Sequence, residues 1–331
     1  MSVLIIAEAG VNHNGDIDLA CELIRQAALC GADIVKFQTF KPEHLVSKFA
    51  QKAEYQKQTT DINESQFIML SKLALPHDAY PRLLECCKHN NIQFLSTAFD
   101  FESINFLKSL QMPCWKIPSG EVTNLPYLIK IAQTGDKIIL SSGMCTMDEL
   151  IAAIDVLREY GANEIVVLQC TSEYPAPFED VNLKAMRTIQ NKLNLPVGYS
   201  DHTVGIEVPI AAVAMGAVVI EKHFTLDKGM KGPDHKASLE PAELRNMIEA
   251  IRNIEKAIGT GEKIPTNSEI KNIAIARKSI VASRNISKSE VLSGSNLTVK
   301  RPGNGISPMK WFEVLGARAI RNYLEDELIE L

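Results

Sequence analysis

The stretch VLIIAEAGVNHNGDIDLACELIRQAALCGADIVKFQ, residues 3–38, contains two short apolar runs on either side of a longer amphipathic segment. The runs 3–8 and 32–38 are rich in β-branched residues and almost continuously apolar, which is typical of parallel strands buried on both faces. The segment 16–29 between them predicts a helix, and Gly31 follows it where a left-handed cap is favoured. Residues 3–38 therefore predict a strand–helix–strand unit.

The same alternation continues along the chain. Further strand candidates are IQFLST (92–97), CWKIPS (114–119), KIILSS (137–142), EIVVLQC (164–170), PVGYSD (196–201) and AVVIEKHF (217–224). Eight such repeats predict an α/β protein with a (β/α)₈ TIM barrel. A doubly wound sheet is the alternative because strand order is invisible in sequence, but no GxGxxG follows a strand.

The pattern changes after about residue 258. Residues 259–272, GTGEKIPTNSEIKN, are rich in Gly, Pro, Thr and Asn and are interpreted as a linker. Short strand and turn patterns follow it. We therefore expect a barrel domain over 1–258, a linker over 259–272 and a small, mostly β domain over 273–331.

Composition excludes several classes of protein. The chain has 331 residues, with 46% hydrophobic and 23% charged residues, and a net charge of −5. This balance argues against a nucleic-acid partner, which needs a basic surface. No segment approaches the roughly 18 apolar residues of a membrane span. The seven cysteines form no CxxC motif, which predicts reduced thiols in a cytoplasmic protein.

Nearly every predicted strand ends in polar or ionisable residues. In a barrel these ends form the catalytic face. Taken singly, such residues are more often helix caps or surface charges. The residues that carry the argument are Glu8, Lys36, Gln38, Thr97, Lys116, Ser119, Glu121, Ser141, Tyr174, Ser200, His202 and His223.

Two lysines lie inside apolar strands: Lys36 in DIVKFQ and Lys116 in CWKIPS. A buried lysine needs a partner, which is either a structural carboxylate or an anionic ligand. With Ser119, Ser141 and Ser200 at neighbouring strand ends, the lysines are suited to hold a phosphate and a carboxylate.

His202 and His223 end the adjacent seventh and eighth strands. Two imidazoles, completed by a carboxylate or by water, suit a divalent transition metal, although two histidines do not define a closed zinc site. The polar loop 227–238 would place Asp234 over the barrel mouth. In the second domain, VKRPGNGISP presents Arg301, either on a solvated hairpin or towards an anionic or amide-bearing ligand.

The sequence resembles the sialic acid synthase family, including legionaminic acid synthases, over nearly its whole length. The motifs that carry the resemblance include IAEAGVNHNG (6–15), VKFQTFK (35–41), KAEYQ (52–56), KIPSGE (116–121), CTSEYPAPFEDVNL (170–183), GYSDHTVG (198–205), EKHFTLDKGMKGPDH (221–235) and KRPGNGISP (300–308). The last domain is similar to the antifreeze-like (SAF) domain of these synthases.

The resemblance implies a metal-dependent condensation of phosphoenolpyruvate with open-chain N-acetylmannosamine, giving N-acetylneuraminate and phosphate. It also implies a domain-swapped homodimer and Mn²⁺, or another divalent cation such as Mg²⁺ or Co²⁺. Matched by motif, phosphoenolpyruvate would contact Lys36, Thr97, Lys116, Ser119, Ser141 and Ser200. His202 and His223 would hold the metal, Glu8 would lie beside the reacting carbons, and the sugar would contact Gln38, Glu121, Tyr174, Asp234 and Arg301.

Several alternative functions remain open from the sequence, among them a 6-phosphosugar acceptor, against which the lack of a second cluster of cations argues. A synthase of N,N'-diacetyllegionaminate would use 2,4-diacetamido-2,4,6-trideoxymannose with the same phosphoenolpyruvate site, and a pseudaminate synthase is a third member of this group. A Schiff-base aldolase would use Lys116 or Lys36 as its nucleophile without a metal. An ice- or carbohydrate-binding protein would leave the polar strand ends unexplained.

Overall fold

A computed structural model describes residues 2–47, 49–53, 56–57, 60–61 and 64–331 of the chain. The chain forms two compact units, Met1–Gly259 and Thr260–Leu331. Glu54 and Tyr55 of the KAEYQ motif lie outside the described residues.

Eight parallel strands form the sheet of the first unit. They are β1 (Leu4–Gly10), β2 (Ile34–Thr39), β3 (Gln93–Ala98), β4 (Trp115–Ile117), β5 (Ile138–Ser141), β6 (Ile165–Cys170), β7 (Val197–Asp201) and β8 (Val219–His223). Their order is β3-β2-β1-β8-β7-β6-β5-β4, and the first strand pairs with the last. Strands β3 and β4 pack side by side, which completes the ring. The predicted (β/α)₈ barrel is confirmed.

Helices follow the strands and cover the barrel. Within the residues that the structure describes, the helices of the first unit include α1 (Ile17–Cys30), α2 (Pro42–Leu45), α3 (Gln66–Leu73), α4 (Tyr80–His89), α5 (Phe101–Lys108), α6 (Leu125–Ala132), α7 (Met147–Glu159), α8 (Ala185–Leu193), α9 (Glu207–Ala214) and α10 (Pro241–Ile258). Short 3₁₀ turns lie at His77–Ala79, Ser119–Glu121, Phe178–Asp180 and His235–Ala237. In α1, the Asp16 side chain caps the first turn. Gly31 ends the helix at φ 91°, as the sequence predicts.

The alternation of side chains along each strand divides the core into two layers. Ile5 and Ala7 of β1 belong to the large cluster between sheet and helices. Ile6 belongs to a separate cluster inside the barrel, with Ile34 and Leu95 among its members. Because successive side chains point to opposite faces, Glu8 continues the inward row of Ile6. Polar residues at the last inward positions of the strands therefore meet at one mouth of the barrel.

The second unit is a small domain with its own core. Strand β9 (Ser279–Ala282) pairs antiparallel with β10 (Leu297–Lys300), and isolated bridges connect further extended segments. A 3₁₀ turn, Pro308–Lys310, precedes α12 (Trp311–Val314). The core includes Ile280, Leu292, Val314 and Tyr323.

Helix α11 (Asn267–Ala276) begins within the segment that the sequence analysis interprets as a linker, 259–272. A capping box explains the difference: the Thr266 hydroxyl accepts the Glu269 N–H, and the Glu269 carboxylate accepts the Thr266 N–H. These reciprocal hydrogen bonds satisfy donors that a helix start leaves open. Composition alone did not reveal this start.

Among the helices of the described residues, none combines the length and the apolar composition needed to cross a bilayer.

Candidate active site

A cavity of about 420 Å³ lies at the carboxyl ends of the barrel strands. Twelve of the residues singled out from the sequence line it: Glu8, Lys36, Gln38, Thr97, Lys116, Ser119, Ser141, Tyr174, Ser200, His202, His223 and Asp234. They come from all eight strand ends or from the loops that follow them. The structure therefore brings together side chains that are up to 226 residues apart, while their roles stay predictions.

Two lysines and two glutamates form the polar floor of this cavity. The Glu8 carboxylate lies 2.5 Å from Lys36 Nζ. The Glu221 carboxylate lies between the lysines, with Oε2 3.5 Å from Lys36 Nζ and Oε1 3.6 Å from Lys116 Nζ. All four side chains are buried. Strands β1, β2, β4 and β8 thus place two lysines and two glutamates together in one desolvated cluster.

Burial and opposite charge compete in setting the pKa values of this cluster, and for Glu8 burial prevails and raises the pKa. Burial raises the pKa of Glu221, but Lys116 and Lys36 outweigh it and lower the value to about 2. Burial lowers the pKa of Lys36, but Glu221 and Glu8 outweigh it and raise the value. For Lys116 burial dominates and lowers the pKa. Glu221 is thus ionised at neutral pH and compensates the lysines on either side of it.

Hydroxyl groups surround the two ammonium groups. Lys36 Nζ donates to Thr97 Oγ1 at 3.2 Å, and Lys116 Nζ donates to Ser141 Oγ at 2.7 Å. Ser200 Oγ donates to Glu221 Oε1 at 2.9 Å. Ammonium and hydroxyl donors around one space are suited to a multiply charged anion.

Ser119 belongs to a neighbouring part of the cavity. Its hydroxyl accepts the Gly143 N–H at 2.8 Å and lies 3.1 Å from Cys170 Sγ. A side chain at position 143 would collide here, because an added Cβ would lie 2.9 Å from Ser119 Oγ and 2.3 Å from Ser172 Oγ. Gly143 therefore allows the backbone to approach Ser119 closely.

The two histidines lie side by side at the ends of β7 and β8. Their ring centroids are 5.5 Å apart, and the Tyr174 ring lies 4.2 Å from that of His202. His202 Nδ1 lies 2.6 Å from the Thr171 carbonyl oxygen, and His223 Nδ1 lies 3.9 Å from Asp234 Oδ2. Burial lowers the pKa of both histidines. Both imidazoles are therefore neutral, which is the form that binds metals.

This donor set fits a divalent cation that needs further ligands. His223 Nδ1 is buried without a hydrogen-bond partner, and a buried polar atom of this kind is one that a bound ion can satisfy. Within the described ranges no three His, Cys, Asp or Glu side chains converge on one point. The protein would thus contribute two imidazoles, leaving other positions to water and substrate oxygens.

Asp234 closes the cavity from the long loop after β8. It is buried, and burial followed by the charge of Glu8 raises its pKa to about 7. Its backbone carbonyl accepts the Ser238 hydroxyl at 2.7 Å, and the Ser238 hydroxyl also accepts from the Asn12 amide at 2.9 Å. These bonds connect the loop to the segment that follows β1.

Two predicted sugar-binding residues do not line the cavity of the first unit. Glu121 lies in the 3₁₀ turn Ser119–Glu121, half-buried, and accepts a hydrogen bond from the Asn124 side chain. Arg301 belongs to the second unit, is exposed, and donates from Nε to the Ala276 carbonyl oxygen at 3.0 Å. Their proposed contacts with the sugar stay predictions.

Glu221 is the floor residue that the sequence analysis did not assign to the site. A signal for it was present, because Glu221 is a charged residue inside an apolar strand and stands two positions before His223. The adjacent Lys222 lies on the other face of β8, where its ammonium forms a buried pair with Asp201 at 2.5 Å. The charges of Lys222 and Asp201 therefore neutralise each other outside the cavity.

A parallel barrel with buried cations and carboxylates at its strand ends is the architecture of a TIM-barrel enzyme. A model of the NeuB family matches residues 23–263, and a model of the SAF domain matches residues 277–330. The chain belongs to the NeuB family, the sialic acid and legionaminic acid synthases, and is an enzyme of this class.

Named relatives cover nearly the whole chain. The N,N'-diacetyllegionaminic acid synthase of Campylobacter jejuni is 57% identical over 328 residues, which are 98% of each protein. The enzyme of the same name from Legionella pneumophila is 48% identical and covers 97% of this chain and 92% of its own length. The solved N-acetylneuraminic acid (sialic acid) synthetase of Leptospira borgpetersenii, in complex with citrate, has a TM-score of 0.73 at 34% identity. The matched region covers 82% of this chain and 90% of the synthetase chain.

Proposed function

We propose that this protein condenses phosphoenolpyruvate with open-chain 2,4-diacetamido-2,4,6-trideoxymannose to form N,N'-diacetyllegionaminate and phosphate. The relatives at 57% and 48% identity bear the name of this activity. The sialic acid synthetase is similar at 34% identity. These values favour the diacetamido sugar over N-acetylmannosamine, the acceptor that the sequence analysis named first.

The convergence of Lys36 and Lys116 on one buried space is the observation that carries this proposal. Phosphoenolpyruvate presents a phosphate and a carboxylate, and both are held best by cationic and hydroxyl donors in a dry site. Thr97, Ser141 and Ser200 supply hydroxyls beside the ammonium groups. We assign the phosphoenolpyruvate subsite to this floor, with Ser119 at its border.

The reaction forms one carbon–carbon bond and one carbon–oxygen bond, the latter to water, and breaks the carbon–oxygen bond to phosphate. The methylene carbon of phosphoenolpyruvate attacks the aldehyde carbon of the sugar, and the aldehyde oxygen takes up a proton. Positive charge then develops at the second enol carbon. Water adds to that carbon and loses a proton. The resulting hydroxyl passes its own proton to the departing phosphate as the carbonyl forms.

Glu8 is the carboxylate that we assign to the reacting carbons. It is buried, ends β1, and receives a hydrogen bond from the Gln38 side chain at 3.2 Å. A negative charge fixed there stabilises the developing cation. The same carboxylate can accept a proton from the attacking water. Gln38, Tyr174 and Asp234 line the remaining cavity and are assigned to the sugar.

The floor already pairs two carboxylates with two lysines before any substrate binds. A highly charged anion would therefore bring uncompensated charge into a buried site, which is costly unless another cation is present. We propose that His202 and His223 hold this cation, Mn²⁺ or another divalent ion such as Mg²⁺ or Co²⁺. When bound, such an ion acts as a Lewis acid on the sugar carbonyl.

We also propose a domain-swapped homodimer in which Arg301 of the second domain reaches the acylamino group of the sugar in the partner's barrel. A guanidinium is suited to this contact because its planar donors form charge-assisted hydrogen bonds.

Phosphate release from phosphoenolpyruvate tests the proposed reaction. With Mn²⁺ present, we expect a higher kcat/KM for 2,4-diacetamido-2,4,6-trideoxymannose than for N-acetylmannosamine, and loss of activity with EDTA. A higher kcat/KM for N-acetylmannosamine would contradict the proposed acceptor. Activity that EDTA leaves unchanged would contradict the metal.

A further inference from the structure

One side of the active-site cavity is apolar, in contrast to its charged floor. This apolar wall consists of Val11, Met69, Leu70, Leu73 and Phe99, all of which line the cavity. Val11, Met69 and Leu73 are only 3%, 3% and 6% exposed. The wall therefore consists of packed side chains with fixed positions.

Helix α3 supplies most of the wall. It begins after the Ser65 cap, whose side chain accepts the Ile68 N–H. Met69 and Leu73 are four residues apart, so they lie on one face of the helix, and Leu70 lies beside them. With Val11 and Phe40 they form a small core that is separate from the barrel core. The helix is thus anchored at the mouth of the barrel through its apolar face.

The wall lies beyond the floor in the direction of the strands. Val11 follows Glu8 by three residues, and Phe99 follows Thr97 by two. Phe99 comes directly after the last residue of β3, so it lies further out than Thr97. We place the aldehyde of the sugar at Glu8, so that C6, at the opposite end of the open chain, lies further out in the cavity, on the side of the wall.

The chemistry of the wall discriminates between groups at C6. Its side chains offer no hydrogen-bond donor, and the Met69 sulfur is only a weak acceptor. A C6 hydroxyl packed against these five side chains would lose its water without a partner among them, which is unfavourable. Gln66, one turn earlier on α3, also lines the cavity and marks the polar edge of the wall. A C6 methyl group would instead gain from leaving water. The acetamido groups of the sugar carry an N–H and a carbonyl that need polar partners, so the wall suits them less well than it suits a methyl group.

We propose that the apolar wall is the subsite for the C6 methyl group of the acceptor, and that Met69 and Leu70 select 6-deoxy sugars over 6-hydroxy sugars. The inference rests on the proposed function, because it assigns a position to the group that distinguishes that acceptor. It adds residues that no strand-end motif pointed to.

The test compares two acceptors that differ only at C6: 2,4-diacetamido-2,4,6-trideoxymannose and its 6-hydroxy counterpart. For the unchanged enzyme we expect kcat/KM to favour the 6-deoxy sugar by about 10- to 100-fold, as is usual for such a difference in an apolar pocket. In Met69→Gln, the new amide can form a hydrogen bond with a C6 hydroxyl. The ratio of kcat/KM for the 6-deoxy sugar to that for the 6-hydroxy sugar should therefore fall close to one. The KM for phosphoenolpyruvate should not change.

Matched variants separate the wall from general effects on α3. Ile68 lies on the same helix but is 48% exposed and outside the cavity, so Ile68→Gln should keep the full preference. Leu70 is half-buried, and Leu70→Gln repeats the test at lower risk to folding, which thermal unfolding verifies for each variant. An unchanged preference in the folded variants would overturn the proposal, as would an equal kcat/KM for both sugars in the unchanged enzyme.

Failure of the proposed function would be recognised separately. If phosphate were released with N-acetylmannosamine but with neither diacetamido sugar, the proposed acceptor would be wrong. The wall would then be tested with N-acetylmannosamine and its 6-deoxy analogue. A preference for the 6-deoxy form that Met69→Gln removes would support the wall, and a preference for the 6-hydroxy form would overturn it.

Discussion

The Glu221 carboxylate lies 3.5 Å from the Lys36 ammonium in the floor of the barrel mouth. Its other oxygen lies 3.6 Å from the Lys116 ammonium. One carboxylate from β8 therefore holds the ammonium groups of β2 and β4 on its two sides, close enough for one small anion to contact both. The floor is preorganised, because the desolvation free energy of its charged groups is already offset by their mutual attraction in the folded protein.

Glu221→Gln should destabilise the free protein, because it leaves two buried ammonium groups with one carboxylate. Breaking a buried pair in this way costs about 3–5 kcal/mol in the free energy of unfolding. Phosphoenolpyruvate should raise the unfolding temperature more in the variant than in the unchanged protein, because the ligand supplies the missing negative charge. Thermal unfolding with and without phosphoenolpyruvate measures both effects.

Glu164→Gln is the matched control for this charge change. Glu164 is 74% exposed and lies 3.9 Å from Lys137, and exposed ion pairs of this kind contribute about 0–1 kcal/mol. Its unfolding temperature should stay unchanged. If Glu221→Gln behaved like this control, the floor would not depend on Glu221.

Lys116→Met should weaken the use of phosphoenolpyruvate more than the use of the sugar. The substitution keeps most of the side-chain length but removes an ammonium group that donates to Ser141 at 2.7 Å. A hydrogen bond to a charged group contributes about 1.5–3 kcal/mol, which corresponds to a decrease of about 10- to 100-fold in kcat/KM. Steady-state kinetics with each substrate varied in turn would show the effect.

The exposed Lys137 provides the comparison, since Lys137→Met removes a cation outside the cavity. We expect its kinetics to match those of the unchanged enzyme. Equal losses for both substrates in Lys116→Met would argue for a general structural role and against a phosphoenolpyruvate contact.

His202→Ala and His223→Ala should each abolish metal-dependent activity and weaken Mn²⁺ binding. Each variant removes one of the two imidazoles that the cavity offers to a cation, and one remaining imidazole is a poor site. Titration of Mn²⁺ alongside phosphate release measures both properties. The exposed His89 is a suitable control, because His89→Ala removes an imidazole far from the strand ends. Full activity in either cavity variant would rule out the metal assignment.

Arg301→Ala should raise the KM for the sugar by loss of a charge-assisted contact. Arg318→Ala is its counterpart in the same domain, since Arg318 also donates to a backbone carbonyl, that of Ser289 at 2.9 Å. We expect the Arg318 variant to retain the unchanged KM. An unaltered KM and kcat in Arg301→Ala would remove the second domain from the active site.

The fold was predictable because its strands are buried on both faces. Continuous apolar runs such as EIVVLQC stand out from amphipathic helices, and eight of them indicate a barrel. The lysines of the site were predictable for the same reason, since a charge inside an apolar run must find a partner. Glu221 carries the same signal. It was not assigned because the sequence alone does not show which carboxylate neutralises which lysine.

The remaining differences have tertiary causes. Asp201 and Lys222 look like site residues at strand ends, but they point away from the cavity and pair with each other. The apolar wall was not predicted because α3 lies between β2 and β3 and carries no charged motif. Its residues reach the cavity only through the packing of the helix at the barrel mouth.

Competition between two acceptors tests the central claim most directly. Equal concentrations of 2,4-diacetamido-2,4,6-trideoxymannose and N-acetylmannosamine would react with phosphoenolpyruvate and Mn²⁺ in one vessel, with both products quantified by mass. The product ratio at early times equals the ratio of the two kcat/KM values. We predict that N,N'-diacetyllegionaminate is formed in excess, and an excess of N-acetylneuraminate would contradict the proposed function.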